Sequence, residues 1–183
     1  MLDAAGVSPA DSLVDVGGGA SPLAGALLDR GFRDVTVLDI SATGMQHAQR
    51  RLGGRASQVR WLVADVLAWQ PEQRYRVWHD RAVFHFLVSD QDRQQYKQTL
   101  HAATGDAAAA VFGCFAPDGP PYCSGLPVAR YSADDLDREL GSQWTLITRA
   151  REEHITPAGG VQPFTWAAFR REEPEAPAPQ HGI

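Results

Sequence analysis

Cysteine, basic charge and long apolar runs are all scarce in this sequence. Its two cysteines, Cys114 and Cys123, cannot form the disulfide framework of a small secreted domain. A zinc site usually needs more ligands at closer spacing, so we predict no metal. The formal net charge is −5, whereas a nucleic-acid-binding face is basic. We therefore expect no nucleic-acid partner.

No apolar run in the sequence can cross a membrane. The longest, Ala107–Ala116, is much shorter than the roughly 20 residues that a transmembrane helix needs. Met1–Asp3 lacks the positive start of a secretory signal, and no apolar segment follows it. These absences predict a cytoplasmic protein without a membrane partner.

What the sequence does contain is an alternation of strand-like and helix-like segments. Its 183 residues, 44% of them hydrophobic, are enough for one domain with a sizeable core. Repeated βα units predict an α/β fold, a single doubly wound, mostly parallel sheet with helices on both faces. The last two strands are joined by Thr156–Gly160 and predict a hairpin, hence an antiparallel C-terminal edge strand. Strands are predicted near 12–16, 34–39, 58–64, 75–79, 107–115, 143–152 and 161–170, and helices near 21–30, 41–52, 90–103 and 132–140.

Three consecutive glycines are the most informative feature. The apolar segment Leu13–Val16 leads directly into Gly17–Gly19, which allow a tight turn and close approach of a ligand to the backbone. Ser21 is the predicted N-cap of the next helix, and Pro22 its first residue. A second apolar strand leads into Asp39. The glycine turn and Asp39 together predict a nucleoside-binding site at this edge of the sheet, in which the acid binds the ribose hydroxyls.

Two ligand classes use such an edge. A dinucleotide fingerprint needs G-x-G-x-x-G, and here the first two positions fall on Gly17 and Gly19, but the third falls on Pro22. Proline is poorly suited to the close helix–strand packing that the third glycine permits, which disfavours a nicotinamide oxidoreductase. The segment Asp15–Ser21 instead resembles the first motif of class I S-adenosylmethionine-dependent methyltransferases, an acid followed by G-x-G.

The resemblance extends through three further motifs in the family's order. Asp39–Ser41 is similar to the second-strand motif, Ala64–Val66 to the third-strand motif, and Val77–Leu87 to the fourth strand with its following turn. The resemblance implies S-adenosylmethionine as cofactor and S-adenosylhomocysteine as product. The residues that it implies in cofactor binding are Asp15, Gly17, Gly18, Gly19, Asp39, Ile40, Asp65, Val66 and His79.

The family resemblance also implies roles for the cofactor residues that follow the glycines. It places Asp39 on the ribose, with Ile40 against the adenine. The side chain of Asp65 and the backbone amide of Val66 are implied at the adenine edge. His79 is expected to contact the methionine end of the cofactor through its backbone.

Catalysis can rest chiefly on positioning, because methyl transfer is an in-line displacement and needs a general base only for acceptors protonated at neutral pH. The resemblance places the turn after the fourth strand beside the methyl group, so His85 is the best candidate base. The alternative is that His85 packs between Phe84 and Phe86 as a hydrogen-bonded structural histidine. Asp80, the second catalytic candidate, could pair with Arg81 or with a basic group of the ligand.

Two segments stand outside the alternating pattern. Residues 172–183 are rich in Pro, Ala and Glu and predict a disordered tail, which leaves 1–171 as the methyltransferase domain. Residues 116–131 predict a long loop with several Pro and Gly, and such loops are usually functional or disordered. Because this loop follows the fifth strand, at the sheet edge that carries the glycine turn, we predict that it covers the substrate.

Three functions remain open from the sequence. A compact chain with one inserted loop favours a small-molecule acceptor over the alternative, a protein. A catalytically idle cofactor-binding module is the third reading, because the family commonly has a further helix before the first strand, and here only Met1–Asp11 precede it. An open pocket, closure by a partner subunit and a truncated sequence would each account for that difference. The acceptor atom and the oligomeric state are not predicted.

Overall fold

This computed structural model describes residues 1–156 and 159–172, which contain nine strands and four α-helices. Strands β1 to β9 span Leu13–Val16, Val35–Asp39, Val59–Val63, Tyr75–Arg81, Thr104–Phe115, Tyr122–Cys123, Leu126–Pro127, Trp144–Ile155 and Val161–Arg171. Helices α1 to α4 span Leu23–Asp29, Ala42–Leu52, Asp90–Ala103 and Ala133–Leu140. All predicted strands and helices are present, with bounds shifted by a few residues.

Seven of the strands form one sheet in the order β3-β2-β1-β4-β5-β9-β8. Strands β1 to β5 are parallel, and β9 runs antiparallel to both β5 and β8. The predicted doubly wound, mostly parallel sheet with antiparallel pairing at its C-terminal edge is therefore confirmed. The structure adds that the antiparallel strand itself, β9, lies inside the sheet, between β5 and β8.

The two faces of the sheet carry different helices and different cores. Helices α1 and α2 share a buried cluster with Val77 of β4 on one face, which we call the α1 face. Helices α3 and α4 share a second buried cluster with Trp78 on the opposite face, which we call the α3 face. Because successive residues of a strand point to opposite faces, His79 follows Val77 onto the α1 face and Asp80 follows Trp78 onto the α3 face.

Two serines set the beginnings of the helices that border the glycine turn. The hydroxyl oxygen of Ser21 accepts a hydrogen bond from Leu23 N–H at 3.1 Å. The helix begins one residue later than predicted, at Leu23, and Pro22 rather than Ser21 is its N-cap. The hydroxyl oxygen of Ser41 accepts one from Gly44 N–H at 3.0 Å, at the start of α2. Both helices therefore begin at the carboxyl edge of the parallel strands, where α/β proteins bind their ligands.

The segment 116–131, which we call the cover segment, contains the β6–β7 hairpin that the sequence analysis does not predict. Its tip, Ser124–Gly125, has positive φ at both residues, 51° and 81°, as a two-residue hairpin turn requires. Asp118 binds Arg151 of β8 through two parallel hydrogen bonds of 2.9 Å. Val128 packs into a buried cluster with the sheet. The cover segment is thus tied to β8 and to the sheet core.

Within the part of the chain that the structure describes, no helix is long and apolar enough to span a membrane. The predicted tail lies, from residue 173 onward, outside the described residues, as do Pro157 and Ala158 of the predicted hairpin turn. The domain limits 1–171 therefore remain a prediction.

Candidate cofactor and acceptor site

The glycine turn closes against the turn that follows β4, residues 82–87, which we call the β4 turn. Gly17 has a φ of +71°, which residues with side chains rarely adopt, and a Cβ there would overlap a methyl group of Val83. The N–H of Gly17 donates to the carbonyl oxygen of Leu38 at 2.7 Å, which ties the turn to β2. The first position of the turn therefore requires glycine for both its backbone angle and its space.

Two carboxylates lie close to Gly18 and Gly19. A Cβ at Gly18 would overlap Oδ2 of Asp15, and a Cβ at Gly19 would lie 2.6 Å from Oδ2 of Asp39. Oδ1 of Asp39 accepts a hydrogen bond from Ser41 N–H at 2.7 Å. The missing side chains therefore make room for the acids of β1 and β2.

A cavity of about 330 Å³, the first cavity, opens beside the glycine turn at the carboxyl ends of β1, β2 and β3. Its walls are mostly apolar, and its charged lining residues are Asp39 and Asp65. An apolar cavity of this size with a few polar groups is typical of a cofactor site. The predicted cofactor residues that line it are Gly17, Asp39, Ile40, Asp65 and Val66.

His79 borders a different cavity. Its Nδ1 lies 2.8 Å from Oδ1 of Asp15 on the neighbouring strand, and both side chains are buried. The imidazole lies beside the indole of Trp166, with 5.9 Å between ring centroids, and lines a cavity of about 410 Å³ on the α1 face. Oδ2 of Asp15 has no hydrogen-bond partner among the described residues. The structure therefore pairs two predicted cofactor residues with each other, below the glycine turn.

Asp80 is fully buried and organises the β4 turn. Its carboxylate accepts hydrogen bonds from Val83 N–H at 2.9 Å, from Phe84 N–H at 3.1 Å and from the hydroxyl of Tyr96. Burial raises the pKa of Asp80 to about 6, although these hydrogen bonds favour the charged form. The predicted catalytic role and the predicted pairing with Arg81 do not fit this position, because the protein's own donors surround the carboxylate. Asp80 instead positions the turn that lines the first cavity.

His85 is enclosed as well. Its ring centroid lies 4.6 Å from that of Phe86 and 4.7 Å from that of Phe115, and Phe115 N–H donates to Nδ1 at 3.4 Å. Burial lowers the pKa of His85 to about 4, so the imidazole is neutral at physiological pH. A general base must reach the acceptor and gain a proton near neutral pH. The geometry therefore favours the packing alternative, with Phe115 in place of the predicted Phe84.

An aromatic cluster beside the first cavity was not predicted from the sequence. It consists of Phe115, Val128 and Phe164, which come from β5, the cover segment and β9. Ala82 and Phe86 of the β4 turn pack against this cluster and also line the first cavity. The cavity and the aromatic cluster are thus neighbours that share a wall.

Polar side chains surround Phe164 at the end of β9. The guanidinium carbon of Arg81 lies 4.9 Å from the centroid of the Phe164 ring, and the ring of His154 meets it edge-on at 6.0 Å. Cys123 of the cover segment packs against the aromatic cluster, whereas Tyr131 is buried in the core of the α3 face. At the carboxyl ends of β4 and β5, the apolar aromatic cluster therefore lies next to the cationic side chain of Arg81.

Comparison with known families identifies the class of protein. Residues 13–105, just over half of the chain, match the family described as "Methyltransferase domain". The chain belongs to this family and is a class I S-adenosylmethionine-dependent methyltransferase, with S-adenosylmethionine as its cofactor. The predicted family, fold and cofactor are confirmed. No curated protein sequence matched the chain.

Solved structures agree in fold at low sequence identity. The N-methyltransferase NodS from Bradyrhizobium japonicum, in complex with S-adenosylhomocysteine, aligns with a TM-score of 0.74 at 17% identity, over 94% of this chain and 83% of NodS. A 1,6-didemethyltoxoflavin-N1-methyltransferase from Burkholderia thailandensis aligns with a TM-score of 0.69 at 19% identity, over 89% of this chain and 72% of that one. A methyltransferase from Methanosarcina mazei aligns with a TM-score of 0.75 at 12% identity, over 92% and 95% of the two chains.

Proposed function

We propose that this enzyme transfers the methyl group of S-adenosylmethionine to a small-molecule acceptor. The observation that carries the proposal is the wall shared by the first cavity and the aromatic cluster, formed by Ala82 and Phe86. A cofactor held in the first cavity has an apolar surface beside it, and the cover segment packs over that surface through Val128. Methyl transfer needs such adjacency, because the acceptor must be aligned with the reacting bond at close range.

The first cavity suits the adenosine part of the cofactor. Asp39 is placed to accept hydrogen bonds from the ribose hydroxyls, since Ser41 fixes one of its oxygens and the other lies beside Gly19. Ile40, with 73% of its surface exposed, offers an apolar face to the adenine, and Asp65 supplies an acceptor for the adenine amino group. The bound cofactor supplies an electrophilic methyl group on a sulfonium.

The acceptor side favours a small molecule over a protein side chain. Phe115 and Phe164 are 1% and 3% exposed, so the aromatic cluster supports the half-buried wall of Ala82 and Phe86 from behind and presents no open groove to a protein side chain. The ion pair of Asp118 and Arg151 holds the cover segment against β8. The Burkholderia thailandensis relative was solved with bound 1,6-didemethyltoxoflavin and S-adenosylhomocysteine, which supports a small acceptor on this fold.

Calorimetric titration with S-adenosylhomocysteine tests the cofactor part of the proposal. Asp39→Asn should weaken binding by about ten- to hundredfold, because hydrogen bonds to a charged group contribute roughly 1.5–3 kcal/mol. Asp29→Asn is the matched control, since it removes an exposed acid that pairs with Arg55 at the far end of α1. Equal affinity of the two variants would contradict the assignment of Asp39, and NADH should not bind to either.

The acceptor part is tested by measuring S-adenosylhomocysteine release with a library of small nucleophiles and, separately, with proteins of a cell extract. Turnover on small nucleophiles that leaves the extract proteins unmethylated is the expected result. Methylated protein bands without small-molecule turnover would overturn the proposal in favour of a protein methyltransferase.

A further inference from the structure

Arg81 differs from every other half-buried arginine among the described residues. Besides Arg81, the half-buried arginines of residues 1–156 and 159–172 are Arg55, Arg93, Arg170 and Arg171. Each of these four binds a carboxylate or a backbone carbonyl of the protein. The side chain of Arg81 makes no hydrogen bond or ion pair with any described residue, and its guanidinium lies over the ring of Phe164. Its N–H donors are therefore available to a bound molecule.

The contact with Phe164 leaves the donors of Arg81 available. A cation above an aromatic ring is attracted to the ring face, and here the guanidinium carbon lies 4.9 Å from the centroid. The five N–H groups of a guanidinium lie in its plane and point outward along its edge. Phe164 is itself held by Phe115, with 5.0 Å between ring centroids. The ring therefore fixes the cation in place without consuming its hydrogen-bonding capacity.

The position of Arg81 is next to both parts of the site. The residues that follow it, Ala82 and Val83, line the first cavity, and its stacking partner Phe164 belongs to the aromatic cluster. A molecule that contacts the half-buried wall of Ala82 and Phe86 beside the first cavity is therefore close to the guanidinium.

Neighbouring acids do not neutralise Arg81. Asp80 is on the opposite face and is bound by backbone N–H groups and by Tyr96. Glu152, which pairs with Phe164 across β8 and β9, accepts a hydrogen bond from the indole N–H of Trp166 at 2.6 Å. No carboxylate among the described residues therefore forms an ion pair with Arg81.

We propose that Arg81 binds a carboxylate of the methyl acceptor, so that the enzyme selects small apolar molecules that carry a carboxylate. This inference rests on the proposed function. A guanidinium matches a carboxylate through two parallel hydrogen bonds, which fixes orientation as well as position. A single unpaired cation also balances a carboxylate, whereas it leaves a phosphate dianion with excess negative charge. Arg81 is in this account a specificity-determining residue, and the half-buried wall of Ala82 and Phe86 contacts the apolar body of the acceptor.

Benzoate and benzamide are matched probes, because both are flat and apolar and only benzoate is charged. Each is titrated by calorimetry into the enzyme saturated with S-adenosylhomocysteine. Fragments of this size reach affinities of about millimolar Kd. Benzoate should bind at least about tenfold more tightly than benzamide, and Arg81→Gln should abolish that preference. Arg81→Lys keeps the positive charge but loses the planar pair of donors that binds both carboxylate oxygens, so it should retain part of the preference for benzoate.

Arg60→Gln is the control, because Arg60 is an exposed arginine on β3 whose side chain makes no hydrogen bond or ion pair with the described residues. It should leave the benzoate preference unchanged. The affinity for S-adenosylhomocysteine alone should be the same in Arg81→Gln as in the parent enzyme, which also shows that the variant is folded.

Three results would overturn the inference. Equal binding of benzoate and benzamide, or no benzoate binding at millimolar concentration, would show that no carboxylate site exists. A loss of S-adenosylhomocysteine affinity in Arg81→Gln would instead assign Arg81 to the carboxylate of the cofactor. Failure of the parent enzyme to bind S-adenosylhomocysteine would contradict the proposed function itself. The results on benzoate binding and on Arg81→Gln, by contrast, would overturn only the role of Arg81.

Discussion

The two halves of the sheet build their parts of the site in different ways. In the cofactor half, β1 to β3, the site is made by backbone turns and by acids that directly follow or end the strands, such as Asp39. In the acceptor half, β4, β5, β9 and β8, the site is made by side chains that meet across strands. Arg81, Gly113 and Trp166 lie side by side in register there, although they are far apart in the sequence.

A glycine in each half illustrates the difference. Gly17 is required because of its backbone angle and the approach of the β4 turn. Gly113 has an ordinary strand conformation, and its missing side chain leaves space for the indole of Trp166, which would lie 2.8 Å from a Cβ. The cofactor half thus depends on backbone conformation, and the acceptor half depends on packing. Four substitutions can break or sharpen this comparison.

Gly17→Ala should have the largest effect. It combines an unfavourable positive φ with a clash against Val83, so we expect a loss of about 2–4 kcal/mol in the free energy of unfolding. S-adenosylhomocysteine binding should also be lost, because the turn must move. Urea unfolding and calorimetry measure the two effects.

Gly54→Ala is the control for Gly17→Ala, since a Cβ at Gly54 meets nothing within 4 Å. Adding Val83→Ala to Gly17→Ala should restore part of the stability by relieving the clash. A Gly17→Ala variant that binds the cofactor like the parent enzyme would refute the view that backbone conformation defines this half.

Two buried groups near the junction of the halves affect the free energy of unfolding in opposite ways as pH changes. They are Asp80, near the end of β4, and His85, in the β4 turn. The pKa of Asp80 is raised from 3.8 to about 6, so its contribution to stability falls as pH rises from about 4 to 6. The pKa of His85 is lowered from 6.5 to about 4, so its contribution rises as pH rises from about 4 to 6.5. Each shift corresponds to about 3 kcal/mol, and in the parent enzyme the two largely cancel.

Substitutions should separate these two contributions. In Asp80→Asn the free energy of unfolding should rise by about 3 kcal/mol between pH 4 and pH 6.5, because the effect of His85 is no longer opposed. In His85→Gln it should fall by a similar amount over the same range. Urea unfolding at a series of pH values gives both slopes, and slopes of the same sign would contradict the assignment.

Gly113→Ala should have the smallest effect and should spare the cofactor. The indole of Trp166 must shift to admit the new methyl group, which we expect to cost about 1–3 kcal/mol of stability. S-adenosylhomocysteine affinity should remain that of the parent enzyme. Gly105→Ala in the same strand is the control, because its Cβ would lie 3.9 Å from the nearest atom. Loss of cofactor binding in Gly113→Ala would mean that the two halves are not separable.

The cofactor half of the site could be predicted from the sequence better than the acceptor half. The sequence predicts the glycine turn and Asp39 as cofactor residues, because these residues are consecutive or lie at the end of an apolar strand. For Asp80 it shows the nearness to the fourth strand but not the face that the side chain takes, and of the two roles that it leaves open for His85 the geometry favours the structural one. The alternation from Trp78 to Asp80 was available, and it would have placed Asp80 on the buried α3 face.

The aromatic cluster and the stacking of Arg81 could not be predicted, because they depend on the register among β4, β5 and β9. Sequence spacing does not specify the register of strands joined by long connections. The β6–β7 hairpin is different, since Ser124–Gly125 between two short extended segments is a recognisable two-residue turn signal. The many prolines and glycines of the cover segment make that signal hard to distinguish from an irregular loop.

The place of β9 inside the sheet has a consequence for biosynthesis. The ribosome releases β1 to β5 first, and one edge of β5 stays without a partner until Val161–Arg171 has been made. An unpaired apolar strand edge readily associates with other chains, so this interval is when the nascent protein is most prone to aggregate. The nascent chain also completes the glycine turn long before β9. During synthesis the protein therefore acquires the residues that we propose to hold the methyl donor before the last of those that we propose to select the acceptor.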